Sequence, residues 1–169
     1  MAEAEVVAVE RHPEMVPAEP CPEPHRPDDN SQAPCEDAGM AKWKASDIPD
    51  QTGRTILITG ANSGLGLRSA EALAAAGARV LMACRNAEKA AAAQQEVAAK
   101  ATGPAPEVVP LDLSDLDDVA ACAERLAGAE DHLDVLLNNA GLGLSGSISE
   151  VRAEDVRHVF EVNTVGPLN

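Results

Sequence analysis

The chain has no tyrosine, and only one tryptophan (Trp43) and one phenylalanine (Phe160) among 169 residues. A core must therefore be built from alanine, valine and leucine, small side chains that suit helices packed closely on a sheet. Basic residues are also scarce: 13 Lys and Arg stand against 28 Asp and Glu, a formal net charge of −15. Such a surface repels phosphate backbones and anionic lipid, which argues against nucleic acid and membrane surfaces as partners. No run approaches the ~18 apolar residues of a transmembrane helix. The N-terminus lacks a basic stretch followed by an apolar one, and it is too acidic for a transit peptide, so a cytoplasmic location is expected. The four cysteines (Cys21, Cys35, Cys84, Cys122) form no CxxC and no paired spacing. Disulfides are not expected. Cys84 and Cys122 lie in apolar stretches where a buried free thiol is the usual state. Cys21, His25 and Cys35 fit no common zinc spacing, so no metal is expected.

What is present divides at residue 40. Residues 1–39 hold seven of the twelve prolines and ten carboxylates against Arg11 and Arg26, a net −8 that leaves −7 for the rest. That composition predicts a disordered acidic, proline-rich tail, either an added leader or a product of start-codon choice. Residues 40–169 read as one folded unit.

In that unit apolar runs alternate with helical spacing. Thr55–Thr59 predicts a strand buried on both faces. Leu65–Ala76 predicts a helix stopped by Gly77. Arg79–Cys84 is a second strand, Ala87–Lys100 a second helix and Glu107–Pro110 a third strand. Asp115–Leu126 predicts a helix with Ser114 as its N-cap and Asp115, Asp117 and Asp118 at the positive end of its dipole. Leu133–Leu137 is a fourth strand. A last helix capped by Ser149 carries Val151, Val156, Val159, Phe160 and Val162. The order implies an α/β fold, a Rossmann-type doubly wound parallel sheet with about four strands.

The chemistry sits between the first strand and the first helix, in Thr59-Gly60-Ala61-Asn62-Ser63-Gly64-Leu65-Gly66. Gly60 permits a tight turn out of the strand, Gly64 lets backbone approach a pyrophosphate, and Gly66 permits close packing of the helix. The helix start then directs unpaired N–H groups at the phosphates. At the end of the second strand, where an NAD site commonly has an acidic residue, the chain has Cys84 followed by Arg85. A guanidinium can bind a 2′-phosphate through charge-assisted hydrogen bonds, so NADP(H) is expected in preference to NAD(H). Arg68, in the first turn of the helix, reads as a surface residue.

These features resemble the short-chain dehydrogenase/reductase family. The glycine motif has that family's spacing, and Asp112-Leu113 follows the third strand, where the family places an Asp that contacts the adenine. Asn138-Asn139-Ala140-Gly141 matches its NNAG motif beside the cofactor ribose. Asn163, in Glu161-Val162-Asn163-Thr164-Val165-Gly166, matches an asparagine that supports a catalytic water relay. The Met40–Ser63 stretch especially resembles retinol-dehydrogenase-like members, while Leu142–Asn169 looks closer to other subfamilies. The resemblance implies cofactor contacts from Gly60, Asn62, Ser63, Gly64, Leu65, Gly66, Arg85, Asp112, Leu113, Asn139, Ala140 and Gly141. A supporting catalytic role falls to Asn163, and a carbonyl or alcohol is the small-molecule substrate. An extended-type epimerase relative is disfavoured, because only Leu65 separates the last two glycines.

The departure from the family is at its catalytic centre. The family's chemistry needs a Ser and a Tyr-x-x-x-Lys pair downstream of the asparagine, and this sequence has no tyrosine at all. The expectation is an N-terminal, cofactor-binding portion that is inactive alone: a fragment, a truncated gene model or a splice product. Its fourth strand should present an exposed apolar edge. The alternative is a non-catalytic dinucleotide-binding or dimerising module, a homo-oligomer formed through the last helix. For Phe160, ordinary core packing is favoured over such a contact.

Overall fold

The computed structural model describes residues 43–147 and 149–169. The expected disordered tail, with Cys21, His25 and Cys35, lies outside the described residues.

Four parallel strands, β1 (Thr55–Thr59), β2 (Arg79–Cys84), β3 (Glu107–Pro110) and β4 (Val135–Leu137), form one sheet in the order β3-β2-β1-β4. Ile56 stands opposite Val80 on one side and Val135 on the other. Connections within the sheet are made by α1 (Gly64–Ala75), α2 (Ala87–Ala98) and α3 (Leu116–Ala129). The C-terminal part is α4 (Ala153–Phe160), running into a π-helical turn at Glu161–Val165 and a last turn at Gly166–Leu168. This is the Rossmann-like α/β architecture expected.

All five residues of β1 are buried, as a central strand covered on both faces requires. The two-residue alternation sends Ile56 and Ile58, with Val80 and Met82, toward Leu67, Ala70 and Ala74 of α1 and Ala90, Ala93 and Val97 of α2. Leu57, Leu81 and Ala83 face the opposite way, toward Leu111, Leu113, Cys122 and Val162. Alanines at the helix–sheet contacts allow close approach. Cys84 and Cys122 are free and buried, as expected.

Gly77 ends α1 as the spacing predicts. At φ 97° it is left-handed, and the Ala78 and Gly77 N–H groups donate to the carbonyls of Leu73 and Ala74 at 3.1 Å. One charged group is buried in this layer. Glu71 of α1 is 5% exposed and meets Lys100 at 2.8 Å and Arg68 at 2.7 Å. The Lys100 hydrogen bond, helped by Arg68 and opposed by burial, holds its carboxyl below the usual glutamate range.

Several local expectations need correction. The N-cap of α3 is Asp115, whose carboxylate accepts from the N–H groups of Asp117 and Asp118. Ser114 is drawn away: its N–H and hydroxyl both donate to Asp112 Oδ1, at 3.0 and 2.7 Å. The last helix begins at Ala153 after Arg152, not beside Ser149, whose hydroxyl instead lies 2.7 Å from that of Ser147. Pairing of β4 starts at Val135, two residues later than expected; Asp134 before it meets Thr55 twice, its N–H donating to the Thr55 carbonyl at 2.9 Å and its carboxylate accepting from the Thr55 N–H at 2.8 Å. α2 stops at Ala98, two residues early. Phe160 is not in the core; it is 58% exposed on α4. The expected apolar edge is present, with Val135 and Leu136 exposed on β4.

Candidate cofactor site

The C-terminal ends of the strands open onto a cavity of about 580 Å³. Its wall comes from the turn after β1 (Thr59, Gly60, Asn62, Ser63, Leu65), the end of β2 and start of α2 (Arg85, Lys89), the segment after β3 (Leu111, Asp112, Leu113) and the loop after β4 (Asn139, Ala140, Gly141, Leu142). A parallel sheet forces this convergence, since every strand ends on the same side.

The glycine turn is tied to the loop after β4. Gly60 has φ 67°, and a Cβ there would approach Ala140 Cα to 2.9 Å. At Gly66 a Cβ would lie 2.5 Å from the Gly60 carbonyl and collide with the Asn139 side chain. The crowding therefore comes from the neighbouring loop rather than from the sheet face. Asn139 Nδ2 donates to the Thr59 carbonyl at 2.9 Å. The Thr59 hydroxyl accepts from the N–H groups of Asn139 and Ala140, both at 3.0 Å. Gly64, at φ 56°, differs: a Cβ there would meet nothing within 4 Å.

The first turn of α1 has donors to spare. Its N-cap Ser63 makes no side-chain capping bond, whereas Asn86 caps α2 and Asp115 caps α3. Amides left free at a helix start, beside a cavity and behind a bare glycine, suit an anionic ligand.

Two charged residues meet at the cavity wall: Arg85, exposed, and Asp112, half-buried, 3.9 Å apart. Burial raises the Asp112 carboxyl, but the Ser114 hydroxyl and amide, with the charges of Arg85 and His158, outweigh it and leave it below the usual range. Asp112 Oδ1 is taken by Ser114. Burial pushes the Cys84 thiol up.

Asn163 lies in the π-helical turn, with its carboxamide committed: Oδ1 accepts from the Leu142 N–H at 2.7 Å and Nδ2 donates to the Leu142 carbonyl at 2.8 Å. It holds the loop after β4 while itself remaining exposed. Gly66, Gly64 and Asn163 support the cavity without lining it; the other expected site residues line it directly. Arg68 does not line it and pairs with Glu71. Sequence reasoning missed Thr59, Ala83, Lys89, Leu111, Leu142 and Val162 as site residues. Thr59 could have been found, since it ends the strand next to the first glycine.

A family model described as short chain dehydrogenase matches residues 54–169. The chain belongs to that family. The family comprises oxidoreductases that bind nicotinamide dinucleotides and act on small molecules. A short-chain dehydrogenase/reductase of Armillaria gallica is 41% identical over 104 residues, covering 62% of this chain and 33% of that protein. Retinol dehydrogenase 12 of Mus musculus is 43% identical over 90 residues, or 53% and 28%. Among solved structures, the Pseudomonas aeruginosa RhlG/NADP active-site complex superposes with a TM-score of 0.64 at 29% identity, covering 69% of this chain and 44% of that one. The short-chain dehydrogenase chain thus spans about a third of the length of the curated relatives it matches. Among the described residues no helix is long and apolar enough to cross a membrane.

Proposed function

We propose that residues 40–169 are the dinucleotide-binding portion of an oxidoreductase that interconverts a carbonyl and an alcohol, and that they take NADP(H) in preference to NAD(H). The observation carrying this reading is one cavity that receives both the uncapped start of α1 and the Arg85 guanidinium. The donor set suits the group. Free amides at Gly64, Leu65 and Gly66 would hold the pyrophosphate, with Asn62 and Ser63 beside them. Arg85 would meet a 2′-phosphate, leaving Asp112 Oδ2 and Leu113 for the adenine. Asn139, Ala140 and Gly141 would flank the ribose.

When bound, the nicotinamide supplies or accepts hydride. The chain's own residues orient it and exclude water; Leu65, Leu111 and Leu113 give the cavity its apolar wall. Asn163 positions the loop through Leu142, and its exposed carboxamide keeps a second donor and a second lone pair for the water relay. No tyrosine exists to move a proton to the substrate oxygen. These 169 residues by themselves are therefore expected to turn over no carbonyl. A cytoplasmic setting belongs to the same reading, and the free thiols Cys84 and Cys122 suit a reducing compartment.

Calorimetric titration of the purified chain with NADPH and NADH tests the binding. Absence of affinity for both removes the proposal. Following NADPH absorbance with a panel of carbonyls tests the second half, and robust turnover contradicts it.

A second reading, a dimerising module, is favoured by Val156 and Phe160, which lie one turn apart on α4 and are both exposed. Sedimentation of the chain and of Phe160→Glu separates the two readings: an unchanged monomer in both rejects it.

A further inference from the structure

We propose that Lys89 is a second determinant of cofactor choice, acting with Arg85 on the 2′-phosphate. This rests on the dinucleotide reading given above and adds a residue to it.

Lys89 is exposed, lines the same cavity as Arg85, and occupies the third position of α2. Its backbone N–H donates to Asn86 Oδ1 at 2.9 Å, so the N-cap fixes the turn that carries it. That turn follows β2 directly, which puts two cations four residues apart at the mouth of one strand.

The position is electrostatically wrong for the helix alone. The start of a helix carries positive partial charge and favours carboxylates. The first turns of α3 and α4 obey this with Asp117 and Asp118, and with Glu154 and Asp155. In α2 Glu88 obeys it too, but a lysine follows at the third position, and among the described residues no carboxylate lies within 4.0 Å of its ammonium. Arg85 is little better paired, its contact to Asp112 being 3.9 Å. In a chain of net charge −15 with only 13 Lys and Arg, two loosely paired cations facing one cavity are unusual. A bound dianion removes the conflict. It gives the helix start and both side chains a common counter-charge, as local rules broken at a site require. Arg85 supplies the planar fork and Lys89 a mobile point charge.

The experiment is calorimetric titration of the full chain, Lys89→Gln and Lys89→Arg with NADPH and with NADH. Lys89→Gln is expected to weaken NADPH about tenfold, the loss of one charge-assisted contact, while NADH stays within about twofold. Lys89→Arg should retain the preference. A Lys89→Gln chain that weakens both dinucleotides equally, or neither, overturns the proposal and leaves the Arg85 reading standing. If the unsubstituted chain binds the two dinucleotides equally, the Arg85 reading fails as well. Circular dichroism of Lys89→Gln confirms that any loss is not one of fold.

Discussion

The carboxamide of Asn163 grips both polar groups of the Leu142 backbone, accepting its N–H at 2.7 Å and donating to its carbonyl at 2.8 Å. The two residues lie 21 positions apart, one in the π-helical turn and the other at the cavity wall. Gly141 precedes Leu142, and a Cβ on it would lie 3.4 Å from Asn163 Oδ1. Asn163→Ala is expected to cost about 1 kcal/mol, because the bonds are solvent-accessible. It should also weaken NADPH through the loosened loop. Asn163→Asp keeps the acceptor and loses the donor, so it should fall short of the native chain in both. Urea midpoints and NADPH titration measure the pair; an unchanged affinity in Asn163→Ala would detach the loop from binding.

Gly66 and Gly64 are expected to fail differently when changed to alanine. A Cβ at Gly66 drives into the Gly60 carbonyl and the Asn139 side chain, so Gly66→Ala should destabilise by about 1–3 kcal/mol. Gly64→Ala meets open space on the protein side and pays only the strain of a left-handed alanine, about 1 kcal/mol. Its larger effect should be on dinucleotide affinity. Chemical denaturation alongside titration distinguishes the two, and a Gly64→Ala chain that binds normally would show that no ligand approaches there.

Glu71 sets part of the acid limb of stability. Its pKa is depressed in the folded chain, chiefly by Lys100. The stabilisation is therefore complete above the unfolded glutamate value and is lost as pH falls through the lower folded value. Urea midpoints recorded from about pH 7 to about pH 3 should decline over that window. Glu71→Gln should be less stable at neutral pH, since Lys100 and Arg68 lose their counter-charge, and its acid decline should be flatter. Parallel curves for the two chains would assign the acid limb elsewhere.

Arg85→Gln is expected to lower NADPH affinity by about 10- to 100-fold with little change for NADH. Raising salt should weaken NADPH more than NADH in the native chain and equalise them in the variant. Identical salt slopes for the two cofactors would place Arg85 away from the phosphate.

Much of the frame was legible in the chain because it follows from local periodicity. The residues of β1, β2 and β3 were read to the residue, since β-branched and apolar runs bounded by polar turns carry their own limits. Helix starts were less legible. Ser114 and Asp115 are both good caps, and only the pull of Asp112 on Ser114 decides between them. Phe160 was misread because burial of an aromatic depends on what stands opposite, and nothing in its own helix records that.

The sequence by itself determined the alternation of strands and helices, the glycine turn and the cation after β2, because each depends on residues within a few positions of one another. Only the tertiary structure decided that Thr59 and Asn139, 80 residues apart, would join the two loops, that Asn163 would spend its amide on Leu142, and that Lys89 would share a cavity with Arg85. Parallel strands bring their C-terminal ends to one side whatever the distance along the chain. The contacts made there depend on how the strands are ordered in the sheet, which no local pattern encodes.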